Sequence, residues 1–114
     1  MIEVKNQAHL NSIVSDGVRA NYNFVIKYGF SSCGPCQQWK QSLRQVSQKY
    51  AGLPRRVTFY EVDVMNKAFD KALQSQFEGF PTTHVYCRGQ LVETLTGYQQ
   101  GTTEKELAEA LRGC

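Results

Sequence analysis

FVIKYGFSSCGPCQQWKQSL, residues 24–43, joins two contrasting patterns across a four-residue cysteine motif. Its first five residues, Phe24 to Tyr28, are β-branched or aromatic and mostly apolar on both faces. That is the pattern of a central parallel strand covered by two layers. Lys27 is the one polar intruder. After a loop of small residues, Cys36, Trp39, Leu43, Val46 and Tyr50 recur at alternating steps of three and four, which predicts a long amphipathic helix. Cys33-Gly34-Pro35-Cys36 therefore sits where a strand gives way to a helix.

The same alternation continues outward on both sides. Toward the C-terminus, Gly52 and Pro54 stop the helix, and Val57 to Val64 reads as the next strand. Asn66 offers a cap for a further helix carrying Phe69, Leu73 and Phe77, before Gly79 and Pro81 break the pattern. Thr83 to Cys87 and Leu91 to Leu95 read as two strands of an antiparallel hairpin joined through Arg88-Gly89-Gln90. Thr103 and Glu106 suggest a capping box for a last helix that stops at Gly113. On the N-terminal side, Ile2 to Lys5 is a short strand. Asn6 then caps a helix with Leu10, Ile13 and Val14, which Asp16-Gly17 ends. The predicted order is β-α-β-α-β-α-β-β-α: an α/β chain with a mixed, mostly parallel sheet flanked by helices on both faces. No repeat or linker divides residues 1–114, so one domain is expected.

Composition narrows the function. Hydrophobic residues make up 41% and charged residues 20%, without the signature of disorder. The net charge of +3 is too mild to imply nucleic-acid binding without a clustered basic face. No apolar run approaches the roughly 18 residues that span a bilayer, and MIEVKNQAHL lacks the apolar core of an export signal. A cytoplasmic protein with no membrane contact is expected. There is no GxGxxG motif, so no nucleotide cofactor is expected either.

Four cysteines, at 33, 36, 87 and 114, form one close pair and two singletons. Each residue of the close pair's motif has a physical role at a helix start. Pro35 has its φ preset and no N–H to leave unsatisfied, and Gly34 lets the backbone bend past the sulfurs. Cysteines three apart lie one above the other, close enough for a disulfide. The free N–H groups and the positive end of the helix dipole favour a thiolate at Cys33. Cys36, one turn deeper on the apolar stripe, is held as a thiol until it resolves a mixed disulfide. A half zinc site and an inert structural pair are the other readings of CxxC. Zinc wants four ligands, whereas His9, His84, Cys87 and Cys114 are scattered along the chain, so no metal is expected.

With strand, CGPC and helix in order, the chain resembles the thioredoxin family over nearly its whole length. CGPC at 33–36 matches the family's redox motif, YEVDV at 60–64 a core strand, and GFPTTHVY at 79–86 the segment carrying its cis-proline. Gly97 matches a family glycine near the site. The resemblance implies a protein thiol–disulfide oxidoreductase whose only redox group is the Cys33–Cys36 disulfide. Its implied partners are proteins with reducible disulfides and an electron donor of the thioredoxin-reductase type, and it would work as a monomer. It also implies a cis bond before Pro81, with Ser32, Phe80, Pro81, Thr82 and Gly97 around the substrate groove. Two other functions are compatible with the same residues: an oxidase or isomerase of disulfides, and a non-catalytic binding module.

The departures are informative. Ser32 stands where the family has tryptophan before the first cysteine. The family's buried acid, six positions before that cysteine, falls on Lys27, and its lysine partner falls near Phe59, so an acid–base pair is expected to be lost. Two readings of Lys27 stand: a modulator of the thiol pKa values, or a packed stem whose head reaches Glu61, Asp63 or solvent. Cys87 reads as a small buried hydrophobe and Cys114 as a mobile terminal thiol able to dimerise in air. His84 reads as a packed or edge histidine, Trp39 as core, and Asp63 as a tie at a strand end.

Overall fold

The structure, a computed structural model, describes residues 1–52 and 56–114. Along the chain run β1 (Ile2–Glu3), α1 (Gln7–Arg19), β2 (Phe24–Gly29), α2 (Gly34–Lys49), β3 (Thr58–Asp63), a 3-10 helix (Lys71–Gln76), β4 (Thr82–Cys87), β5 (Gln90–Thr96) and α3 (Thr102–Leu111). The strands form one sheet in the order β1-β3-β2-β4-β5. β1, β3 and β2 are parallel, while β4 is antiparallel to both β2 and β5. β2 is buried along all six residues, as its two-faced apolar pattern requires.

Side chains alternate between two cores, following the period of two along each strand. Phe24, Ile26, Tyr28 and Val62 pack with Leu10 of α1 and with Leu73. Val25, Phe59 and Val85 face the other way and pack with Trp39 and Leu43 of α2 and Leu107 and Leu111 of α3. Trp39 is fully buried, donates from Nε1 to Thr83 Oγ1 at 2.8 Å, and stacks on Tyr98. At about 25 cal/mol per Å² over roughly 200 Å², hiding that ring contributes about 5 kcal/mol before conformational entropy is charged. His84 packs between Tyr28 and Phe77, and burial holds its imidazole below the ordinary histidine value. Asp63 Oδ1 accepts from the Met65 N–H at 3.0 Å, tying the end of β3.

Several local expectations are corrected. Asp16-Gly17 does not end α1, which runs on to Arg19. Gly17 is interior because a Cβ there would lie 2.3 Å from the Phe24 ring, so the glycine makes room for β2. The helix expected after Asn66 is only the 3-10 helix Lys71–Gln76. Asn66 Oδ1 instead accepts from Ala68 N–H at 2.9 Å, the kind of local bond that competes with a helix. Phe69 and Leu73 are still buried, so the apolar spacing was met without a full helix. The capping box lies two residues earlier than Thr103 and Glu106: Glu104 Oε1 accepts from Gly101 N–H at 2.7 Å, while Thr103 Oγ1 accepts from Gln99 N–H. Gln90 already belongs to β5, and only Arg88 and Gly89, both with positive φ, form the hairpin turn. Pro54, expected to stop α2, lies outside the described residues. Among the described residues no helix is long and apolar enough to cross a membrane.

The largest correction concerns the two singleton cysteines. Cys87 and Cys114 are joined by a disulfide, with Cα atoms 5.5 Å apart and a sequence separation of 27. Cys87 is therefore not a free buried thiol, and Cys114 is not a mobile terminal one. Cys114 is buried in the second core and its N–H donates to Leu111 O at 3.2 Å. The hairpin and the docking of α3 bring the end of β4 to the end of the last helix. The Arg88 guanidinium adds a hydrogen bond to the Gly113 carbonyl at the same place.

Candidate active site

β2, the central strand, ends and α2 begins at one end of the sheet, and the cysteine motif occupies that junction. Cys33 is the N-cap residue of α2, with extended backbone, and its Sγ accepts the Cys36 N–H at 3.2 Å. A sulfur thus takes the place usually held by a capping oxygen, among N–H groups that no helical carbonyl satisfies. Pro35 fills the first turn, where a missing N–H is harmless. Ser32, Gly34 and Pro35 are exposed around the sulfurs.

Cys33 and Cys36 are disulfide-bonded, with Cα atoms 5.2 Å apart. Their exposures differ in the sense the chemistry needs: Cys33 is 8% exposed and Cys36 0%. Only the first can be reached from outside. When the bond is reduced, the capping N–H groups and the sixteen-residue helix dipole favour negative charge on Cys33 Sγ.

The Phe80–Pro81 peptide is cis, and the pairing of Thr82 with Tyr28 puts it at the same end of the sheet as the junction. The Gly97 N–H donates to the Pro81 carbonyl at 2.7 Å, so Pro81 and Gly97 meet. Pro81 has no N–H, and beside it Thr82 is buried, its hydroxyl donating inward to Gly79 O. Of the groove residues expected from sequence, Phe80, Pro81, Thr82 and Gly97 come together here, but the Pro81 and Thr82 side chains are both buried and do not line an open surface. Sequence reasoning missed that Phe30 packs edge-on against Phe80, ring centroids 5.4 Å apart, and that Phe77 packs on Phe80 from another side. The GFSS loop that lacks a tryptophan does carry an aromatic ring to the site.

Behind the sulfurs, the acid–base pair expected to be lost is present with its charges exchanged between strands. Lys27 of β2 stands in register with Glu61 of β3, not with Phe59. Lys27 Nζ lies 3.8 Å from Glu61 Oε2, and Lys40 of α2 lies 3.4 Å from Glu61 Oε1. Lys27 is buried, and desolvation pulls its pKa below the ordinary lysine value, opposed by Glu61 and assisted by Lys40 and Arg44. Lys40 follows Cys36 by four residues, and that helical spacing was the available signal for it. A cavity of about 210 Å³ opens beside the cluster, lined among others by Lys27, Gly29, Gln37, Lys40, Glu61 and Asp63. Among the described residues no group of three or more His, Cys, Asp or Glu could hold a metal ion.

The Thioredoxin family model matches residues 1–112. Among curated relatives, thioredoxin of Ovis aries is 29% identical over 87 residues, covering 76% of this chain and 78% of that one. Thioredoxin of Equus caballus is 32% identical over 73 residues, 64% of this chain and 65% of that one. In three dimensions the fold is similar to oxidised thioredoxin O1 from Arabidopsis thaliana, with a TM-score of 0.81 at 23% identity and 96% of both chains covered.

Proposed function

The chain belongs to the thioredoxin family and is a protein thiol–disulfide oxidoreductase, and from that premise we propose that Cys33 is the attacking thiolate and Cys36 the resolving thiol. Cys33 Sγ attacks a sulfur of a substrate disulfide, forming a mixed disulfide and expelling the other substrate sulfur as a thiolate. Cys36 then loses its proton and attacks Cys33 Sγ. The Cys33–Cys36 bond forms, the second substrate sulfur leaves, and the substrate has gained two electrons. The observation that carries this assignment is the difference in position of the two sulfurs, one capping the helix at the surface and one sealed beneath it.

The partly buried rings of Phe30 and Phe80, packed edge to face beside the junction, support an apolar contact surface for the substrate. Electrons return from a reductase of the thioredoxin-reductase type, since the disulfide is the protein's own redox group.

Cys36→Ser tests the assignment. Incubated with disulfide-containing proteins, this variant should accumulate covalent adducts at Cys33 that dithiothreitol releases, whereas the unmutated protein should accumulate almost none. Adducts that form equally well in a Cys33→Ser, Cys36→Ser double variant would contradict it.

A further inference from the structure

Val25 and Phe59 face α2, and two residues further along each strand so do Lys27 and Glu61. Cys36 and Lys40 project from α2 over the same ground, one helical turn apart. The glycine at 29 lets these groups meet. A Cβ on Gly29 would lie 2.9 Å from Cys36 Sγ and 3.7 Å from Lys27 Nζ, so sulfur and nitrogen are no farther apart than those two distances laid end to end. Glu61 touches both lysines, one with each oxygen. Two cations thus share one carboxylate under the resolving sulfur.

The other charges near Lys27 bring the cluster to three cations and three carboxylates, so its position, and not a net charge, sets Lys27 apart. Asp63 comes from β3 with Glu61, Arg44 from α2 with Lys40, and Glu3 of β1 lines the adjoining cavity. The β4 neighbour, Thr83, is uncharged and engaged with Trp39. Lys27 is therefore the cation placed on the inner side of Cys36, where water cannot solvate a thiolate.

We propose that Lys27 is a positioning residue of the resolving step: its ammonium is the counter-charge of the Cys36 thiolate, and Glu61 sets how much of that charge the sulfur feels. The inference rests on the reading of Cys36 as the resolving thiol. Cys36 does not itself line the cavity of about 210 Å³, but Gly29 both lines it and lies against the Cys36 side chain, so the Cys36 proton leaves to water past Gly29. The thiolate then displaces the substrate sulfur from Cys33, two electrons passing from the cysteine pair to the substrate. Burial disfavours a charged Lys27, and both Glu61 and a newly formed thiolate favour it, so the ammonium and the thiolate stabilise each other.

Ellman's disulfide, mixed in stopped flow with the reduced protein, reads the two steps separately. Attack by Cys33 releases one thionitrobenzoate and resolution by Cys36 releases a second. In Lys27→Met the first phase should stay within about threefold, and the second should slow about tenfold near neutral pH with its pH midpoint raised by about one unit. Lys27→Arg, which keeps the charge, should restore most of the second phase. Glu61→Gln removes the neutralising carboxylate and should move the midpoint down. A second-phase midpoint unchanged in Lys27→Met overturns the proposal. So does a midpoint raised in Glu61→Gln, which would make Glu61 the acceptor of the proton. A reduced, unmutated protein that shows no second phase at all would overturn the assignment of Cys36 itself, and the role of Lys27 with it. Far-UV circular dichroism checks that each variant is folded, with Lys27→Gln as a second neutral replacement.

Discussion

Cys33→Ser is expected to bring insulin-disulfide reduction down to the rate of dithiothreitol alone. A serine hydroxyl at this position meets the same N–H groups and the same helix dipole as the thiol. Those groups stabilise a thiolate because an ordinary thiol titrates near 8.5, within reach of a modest downward pull. They cannot make an alkoxide at neutral pH. The nucleophile is removed while the cap is kept, since serine is itself a favoured N-cap residue. The fold should therefore survive, and far-UV circular dichroism of the variant should overlay that of the parent. Turnover within about tenfold of the parent would show that another group begins the exchange.

The bridge between Cys87 and Cys114 carries the second large effect, on stability. Replacing both cysteines by alanine should lower the unfolding free energy by about 3 to 4 kcal/mol, the chain-entropy value for a loop of 27 residues. The loop contains β5 and α3, whose Leu95, Leu107 and Leu111 are buried in the second core. Without the bridge, α3 is held by that packing and by hydrogen bonds such as those Glu104 accepts from the Ser42 and Tyr98 hydroxyls. Urea unfolding under non-reducing conditions should show the transition midpoint shifted down, with catalysis at Cys33 retained in the folded variant. A loss below about 1 kcal/mol would mean that the open chain pays little for its freedom, or that the bridge is strained in the folded protein.

The two disulfides differ in how well the sequence announces them, and the reason is distance along the chain. Cys33 and Cys36 share one helical turn, so their proximity follows from the local pattern around Phe24–Tyr28 and the stripe from Cys36 to Tyr50. Cys87 and Cys114 meet only after the hairpin has formed and α3 has docked, and nothing near either residue signals the other. The same distinction explains Lys27. Its conflict with an apolar strand is legible in FVIKY, but the choice of Glu61 over Phe59 as its partner depends on the β2–β3 register. The position of Lys40 above that pair depends in turn on how α2 crosses the sheet.

Local misreadings have a different cause. Phe69, Leu73 and Phe77 are spaced as a helix would space them, yet Phe77 is extended; Phe69 and Leu73 are buried in the first core and Phe77 packs partly buried against it. Gly17 looked like a stop signal and is a contact surface for Phe24. In the cap of α3, Gly101 supplies the positive φ and Glu104 the carboxylate, so the apparent Thr103–Glu106 pair was shifted by two residues. In each case one reason for a residue type stands in place of another, and the succession of strands along the chain is unaffected.

Attack by Cys33 depends on the amino end of α2 lowering the pKa of its thiol. The most direct test of that claim is the rate of iodoacetamide alkylation of Cys33 in the reduced protein, followed by peptide mass as pH is raised. The rate should reach half its maximum clearly below the ordinary thiol value of about 8.5. A midpoint at or above that value would contradict the claim.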